Sequence, residues 1–74
     1  MNVTKQLGMR VRYLRKQKGM SQLELSLDSG VNKNYISDLE RGDRNPTLIV
    51  LERIANSLDV TLEELFKGIQ SFED

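Results

Sequence analysis

The stretch SQLELSLDSGVNKNYISDLERG, Ser21 to Gly42, decides how this chain folds. Ser21 followed by Glu24 is a capping box, the reciprocal pair by which the start of a helix satisfies its own free amides. Gly30 is the residue type that turns left-handed at least cost, so that helix stops near Ser29. Asn32 is a candidate N-cap for a next helix, which runs to about Arg41 before Gly42. Ile36 and Leu39, three apart, anchor this next helix, and nearly everything else in it is polar. Such a face is either merely solvated or presented to a partner. The run LELSL, Leu23 to Leu27, alternates at period two, but its cap and its helical surroundings keep it helical.

Working outward, Val3, Leu7, Val11 and Leu14 form the stripe of an amphipathic helix from about Asn2 or Thr4 to Lys18, closed by Gly19. On the other side GDRNPT is a turn by composition, with the only proline at Pro46. After Thr47, the residues Leu48, Leu51, Ile54, Ala55 and Leu58 recur at helical spacing. Thr61 to Glu64, TLEE, forms a second capping box and starts a fifth helix. The expected fold is all-α, a five-helix bundle in one domain spanning 1–74, with helices two and three at about 21–41.

Seventy-four residues are near the size where one core is only just sufficient. The chain has no Cys and no His, which removes disulfides, thiol nucleophiles, zinc sites and imidazole bases. No pairing of nucleophile and base, metal cluster or phosphate-cradling glycine loop is found, so neither an enzyme nor a cofactor nor a small-molecule substrate is expected. No apolar run is long enough to span a bilayer and the N-terminus lacks a signal-peptide core, so the expectation is a soluble cytoplasmic protein without a membrane partner. Net charge is zero, but it is unevenly spread. Lys5, Arg10, Arg12, Arg15, Lys16 and Lys18 occupy the first eighteen residues without an acid, whereas the chain from Asn45 onward is acidic. A protein polarised in this way faces a polyanion with one side, unless the basic run is simply a solvated helix face.

Two helices joined by a short turn containing Gly form the helix-turn-helix pattern. Here the capping box, Gly30, apolar Val31 and the Ile36/Leu39 anchor fall in register. LRKQKGMSQLELSLDSGV followed by NKNYISDLERGDRNPTLIVLERIANSLDV resembles the Cro/repressor-type (Xre-like) helix-turn-helix family of transcriptional regulators, from roughly Leu7 to Phe66. Within it, the size and NYISDLERGDRNPTL look most like the controller proteins of restriction-modification systems. The resemblance implies a DNA-binding repressor or activator that pairs into a homodimer on a palindromic operator.

At about 100° per residue, the inward direction of the third helix lies between Ile36 and Leu39. Asn34, Asp38 and Arg41 then point away, with Lys33 and Ser37 flanking Asn34. A recognition helix meets base edges with its N-terminal residues, so Lys33, Asn34 and Ser37 are the base-reading candidates. Tyr35 lies to the side, where its ring either packs on the domain or leans against a sugar or thymine methyl. Ser21 and Gln22 start the second helix, whose free amides suit a phosphate. The resemblance gives Gln22 a backbone contact and a bracing role, and gives Arg44 and Asn45 phosphate contacts, to which Arg12, Lys16 and Lys18 are candidates to add. Asp38 either accepts from cytosine or caps a neighbouring side chain, and the structural role is favoured. The resemblance also pairs Glu40 with Arg15 as a structural ion pair.

The family match turns Leu25 inward and leaves Leu23 and Leu27 outward, on a face that some family members use to touch RNA polymerase. Two leucines there make a candidate partner surface in place of an acidic activating patch. Ile49, Val50, Leu65, Phe66, Ile69 and Phe72 are the candidate dimer interface, with the alternative that Leu65 or Phe66 closes the monomer core. An antitoxin is the competing function, but it would need an extra toxin-binding segment, and only about eight residues follow Phe66.

Overall fold

Five side-chain oxygens start five helices. Asn2 accepts from the Lys5 amide, Ser21 from Glu24, Asn32 from Asn34 and Tyr35, Thr47 from Val50, and Thr61 from Glu64. In the computed structural model, which describes residues 2–69, the elements are α1 (Val3–Gln17), α2 (Gln22–Ser29), α3 (Lys33–Glu40), α4 (Leu48–Ser57) and α5 (Leu62–Leu65). There is no strand among the described residues. Both halves of the Ser21/Glu24 capping box form. Of the second expected box, the Thr61 half is present.

The core joins one stripe from each helix: Leu7 and Val11 of α1, Leu25 of α2, Ile36 and Leu39 of α3, Leu51, Ile54 and Ala55 of α4, and Leu65 of α5, with Val31 and Leu58 between. α1 packs on α3 and α5, and α2 packs on α3 and α4. Leu25 is fully buried while Leu23 and Leu27 stand 51% and 76% exposed, the inward and outward assignment expected of α2.

Three expectations are corrected. Leu48 does not belong to the buried stripe of α4; it is 65% exposed. It lies in the first turn, about 70° from the mean direction of the residues that do go in. Val3, at the first position of α1, is likewise half exposed. Leu65 was a candidate for the dimer interface, yet its exposure is 0%: α5 is a single turn, and this residue is what plugs it into α1 and α4. Phe72 lies outside the described residues.

α1 and α3 approach until backbone touches backbone. A Cβ added to buried Gly8 would lie 2.6 Å from the Glu40 carbonyl oxygen, so only glycine permits this spacing. Gly42, at φ +85°, similarly sits against Lys5.

Candidate nucleic-acid interface

The joint between α2 and α3 begins with Gly30 at φ 75°, which ends α2 in the left-handed conformation. Val31 then buries behind the turn, and Asn32 restarts the helix. With α3 fixed at its inner side by Ile36 and Leu39, the outer side holds Lys33 and Asn34 exposed, followed by half-buried Ser37 and Asp38 and exposed Arg41.

A buried polar cluster sets the pose of α3. Arg15 Nε donates to Glu40 Oε2 at 2.7 Å and its Nη2 to Oε1 at 3.0 Å. Gln22 Nε2 donates to the same Oε1 at 3.0 Å, and Arg15 Nη1 reaches the Met20 carbonyl at 2.8 Å. The two charged side chains are 9% and 3% exposed, so each depends on the other for neutralisation. The hydrogen bond from Arg15 to Glu40 raises the guanidinium pKa above its ordinary value, burial opposes this, and the charge of Glu40 adds to the rise. No buried side-chain nitrogen or oxygen among the described residues lacks a partner. Arg15 and Glu40 are thus joined as expected, and Gln22 braces α3 from the start of α2.

The C-terminal half of the outer face is also tied together. Arg41 Nη1 donates to Ser37 Oγ at 2.9 Å, its Nη2 to Asp38 Oδ1, and its Nε to Asp43 at 3.3 Å. Arg44 donates to Asp38 Oδ2 through Nε and Nη2, each at 3.3 Å, and lies over the Tyr35 ring with its Cζ 4.6 Å from the centroid. Tyr35 is half-buried against the core on its other side. The structure therefore brings Ser37, Tyr35 and Arg44 into one cluster around Asp38, whose capping of neighbouring side chains is the role favoured from the sequence.

Around this face, Ser21 keeps its hydroxyl on the Glu24 amide, and Asn45 is exposed in the segment before α4. Arg12 and Lys16 are exposed along α1. Lys18 is engaged within the chain: its Nζ donates to the Ser57 carbonyl at 2.7 Å and to the Asp59 carboxylate at 2.6 Å, so it clamps the end of α1 to the end of α4. Of the remaining interface candidates, Ile49 is 63% exposed, Phe66 is exposed, and Val50 and Ile69 are half-buried beside the core. Phe66 and Ile69 line a shallow cavity with Val3, Leu7, Pro46 and Leu51.

Two features escaped the sequence reading. Gly8 had a signal, since a glycine inside a helical stripe weakens the helix and implies a close approach. The engagement of Arg41 had only its spacing of three from Asp38, which is too common on helix surfaces to single it out.

A helix-turn-helix family model matches residues 11–65. The chain is 43% identical over 65 residues to an uncharacterised HTH-type transcriptional regulator, y4dJ, of Sinorhizobium fredii, covering 88% of this chain and 84% of that one. It is 38% identical to the control protein C.MunI of a Mycoplasma species, covering 85% and 86% of the two. Among solved structures, the restriction-modification controller protein C.AhdI of Aeromonas hydrophila superposes with a TM-score of 0.83 at 40% identity, covering 85% of this chain and 96% of that one. Other matched regulators are longer, and the chain spans about half of their length. The relatives are transcriptional regulators rather than enzymes. Among the described residues, no helix is long and apolar enough to cross a membrane.

Proposed function

Because the chain belongs to the helix-turn-helix family of DNA-binding transcription regulators, we propose that it acts as a homodimer on a palindromic operator, reading each half-site with α3 in the major groove. The observation that carries this reading is the two-sided build of α3. Its inner side is locked to α1 and α2 by Glu40, Arg15 and Gln22, while Lys33 and Asn34 stand exposed at its N-terminal end, where a recognition helix meets base edges. Lys33 suits the acceptors of guanine, and Asn34 pairs bidentately with adenine. Ser37 and Tyr35 flank them. Phosphates are met by Arg44 and Asn45 and by the start of α2 at Ser21 and Gln22, where the helix dipole favours an anion.

The second copy is held through the apolar side chains of Ile49, Val50, Phe66 and Ile69, now without Leu65. Two-fold symmetry then places the α3 helices about one DNA turn apart, roughly 34 Å, and half-site centres ~10 base pairs apart. Kinship with C.MunI and C.AhdI supports control of restriction-modification genes, this protein's own gene included. The face bearing Leu23 and Leu27 is the candidate contact for RNA polymerase.

Footprinting on the DNA upstream of its own gene tests the reading. Two protected half-sites with that spacing are expected, and Asn34→Ala should cost about 1 to 3 kcal/mol on the protected site and little on random duplex. Equal losses on both would make Asn34 a backbone contact, and no protection anywhere near the gene would remove the autoregulatory proposal.

A further inference from the structure

An acid stands in the middle of the surface that has to meet a polyanion. Asp38 gives one carboxylate oxygen to Arg41 and the other to Arg44, so both oxygens are engaged within the protein. The two guanidiniums converge on it from different places, one from the residue that caps the end of α3 and one from the segment beyond it. Arg44 is held from a second side by the Tyr35 ring, and Arg41 by Ser37. The side chains are 58%, 29% and 46% exposed for Arg41, Asp38 and Arg44, so the cluster is open to an incoming ligand. A guanidinium fork accepts a carboxylate and a phosphate by the same geometry.

We propose that Arg41 and Arg44 together form a phosphate site of the DNA interface, and that Asp38 is its resident anion, a carboxylate that fills the site in the free protein and must be displaced by the DNA backbone. This rests on the reading of α3 as a DNA-facing helix. Exposed ion pairs are weak, so a duplex with its high charge density displaces the carboxylate. Displacement leaves Asp38 unpaired beside the phosphates, and it holds back a cation that would otherwise be released. Two phosphate contacts then count as about one in the salt dependence. Asp38 thereby lowers the affinity for every sequence alike, which keeps the protein from being retained on random DNA.

The test is Asp38→Asn, which keeps the size and removes the charge. The Asp38 backbone carbonyl, which accepts from the Arg41 and Asp43 amides at the end of α3, is untouched. Binding to a random-sequence duplex is measured from 50 to 200 mM salt. With one more net phosphate contact, affinity should fall across that range by an additional factor of roughly 3.5, and it should be about 10-fold tighter at the low end. Glu63→Gln, the same charge change on α5, should leave the salt slope as it is. Adding Arg41→Gln and Arg44→Gln to Asp38→Asn should abolish the gain.

A second comparison does not depend on how well Asp38→Asn folds. In the otherwise unchanged chain, Arg41→Gln with Arg44→Gln should lower the slope by about 1.8, because both phosphate contacts are lost while Asp38 stays beside the backbone and still holds back its cation. A slope that Asp38→Asn leaves unchanged, or one that the loss of the two arginines leaves unchanged, overturns the inference while leaving DNA binding intact. If the unchanged chain binds no duplex at any salt, the DNA-facing reading fails first and this one falls with it.

Discussion

Replacing Glu40 by alanine removes one carboxylate and strands two partners. Arg15 loses two hydrogen bonds and its counter-charge while remaining only 9% exposed, and Gln22 loses the acceptor of its amide. Breaking a buried pair from one side costs about 3 to 5 kcal/mol, because the surviving charge is left uncompensated. At roughly 0.05 to 0.15 kcal/mol per residue, 74 residues hold about 4 to 11 kcal/mol in total, so Glu40→Ala takes a large share of it. In a domain of this size each kcal/mol moves Tm by about 4 to 8 °C, which sets the expected drop at ~12 °C or more. Arg15→Met combined with Glu40→Leu removes both charges and fills the space, and should regain most of the loss. It should still fall short of the natural chain by about 1 to 3 kcal/mol, the penalty for the unpaired Gln22 amide. Urea titration and thermal melts followed by circular dichroism read both variants. The reasoning is refuted if Glu40→Ala melts with the natural chain, or if the double change is no more stable than the single one.

Gly8→Ala gains helix propensity but drives a methyl into the α3 backbone, so a net loss of about 1 to 3 kcal/mol is expected in the same melts. Ile49→Glu should leave Tm nearly unchanged and yield a monomer in sedimentation, whereas Leu65→Ala should lower stability by about 2 to 5 kcal/mol through the cavity it opens. A dimer that survives both Ile49→Glu and Phe66→Asp would put the interface on another face. The pair of Arg15 and Glu40 should keep its cation as pH rises. The folded Arg15 pKa is raised, so its contribution is full below the unfolded value and is lost only as pH rises through the still higher folded one. Hence a melt at pH 10 should show no loss traceable to Arg15, a point that Arg15→Met checks.

The fold was legible because its signals are local. Ser21, Asn32 and Thr47 each cap the helix that their sequence context announces, and Gly30 takes the left-handed turn expected of it. Leu25 against Leu23 and Leu27 was also readable, since the family register fixes which face of a short helix goes in. What periodicity does not contain is where a helix ends relative to its neighbours. Leu48 fits the stripe of α4 but lies at its edge in the first turn, and Leu65 fits an interface until the single turn of α5 is seen to have no other anchor. The site divides in the same way. Lys33 and Asn34 were placed by helical geometry alone, while the destination of Lys18 at Ser57 and Asp59 depends on a contact between segments about forty residues apart, for which the sequence holds no cue.

The backbone contact at Gly8 bears on how such a protein changes its target. Beside the Ile36 and Leu39 anchors on its inner side, the contacts that lock α3 to α1 and α2 lie at its C-terminal end: the Gly8 approach, Glu40 with Arg15 and Gln22, and Gly42 against Lys5. Lys33 and Asn34 project from the opposite end and take no part in that anchorage. Stand and reading head are therefore separable. Residues at 33 and 34 can be exchanged to suit another operator without shifting the helix that carries them, whereas a single methyl at position 8 would tilt the whole reader and degrade every operator together.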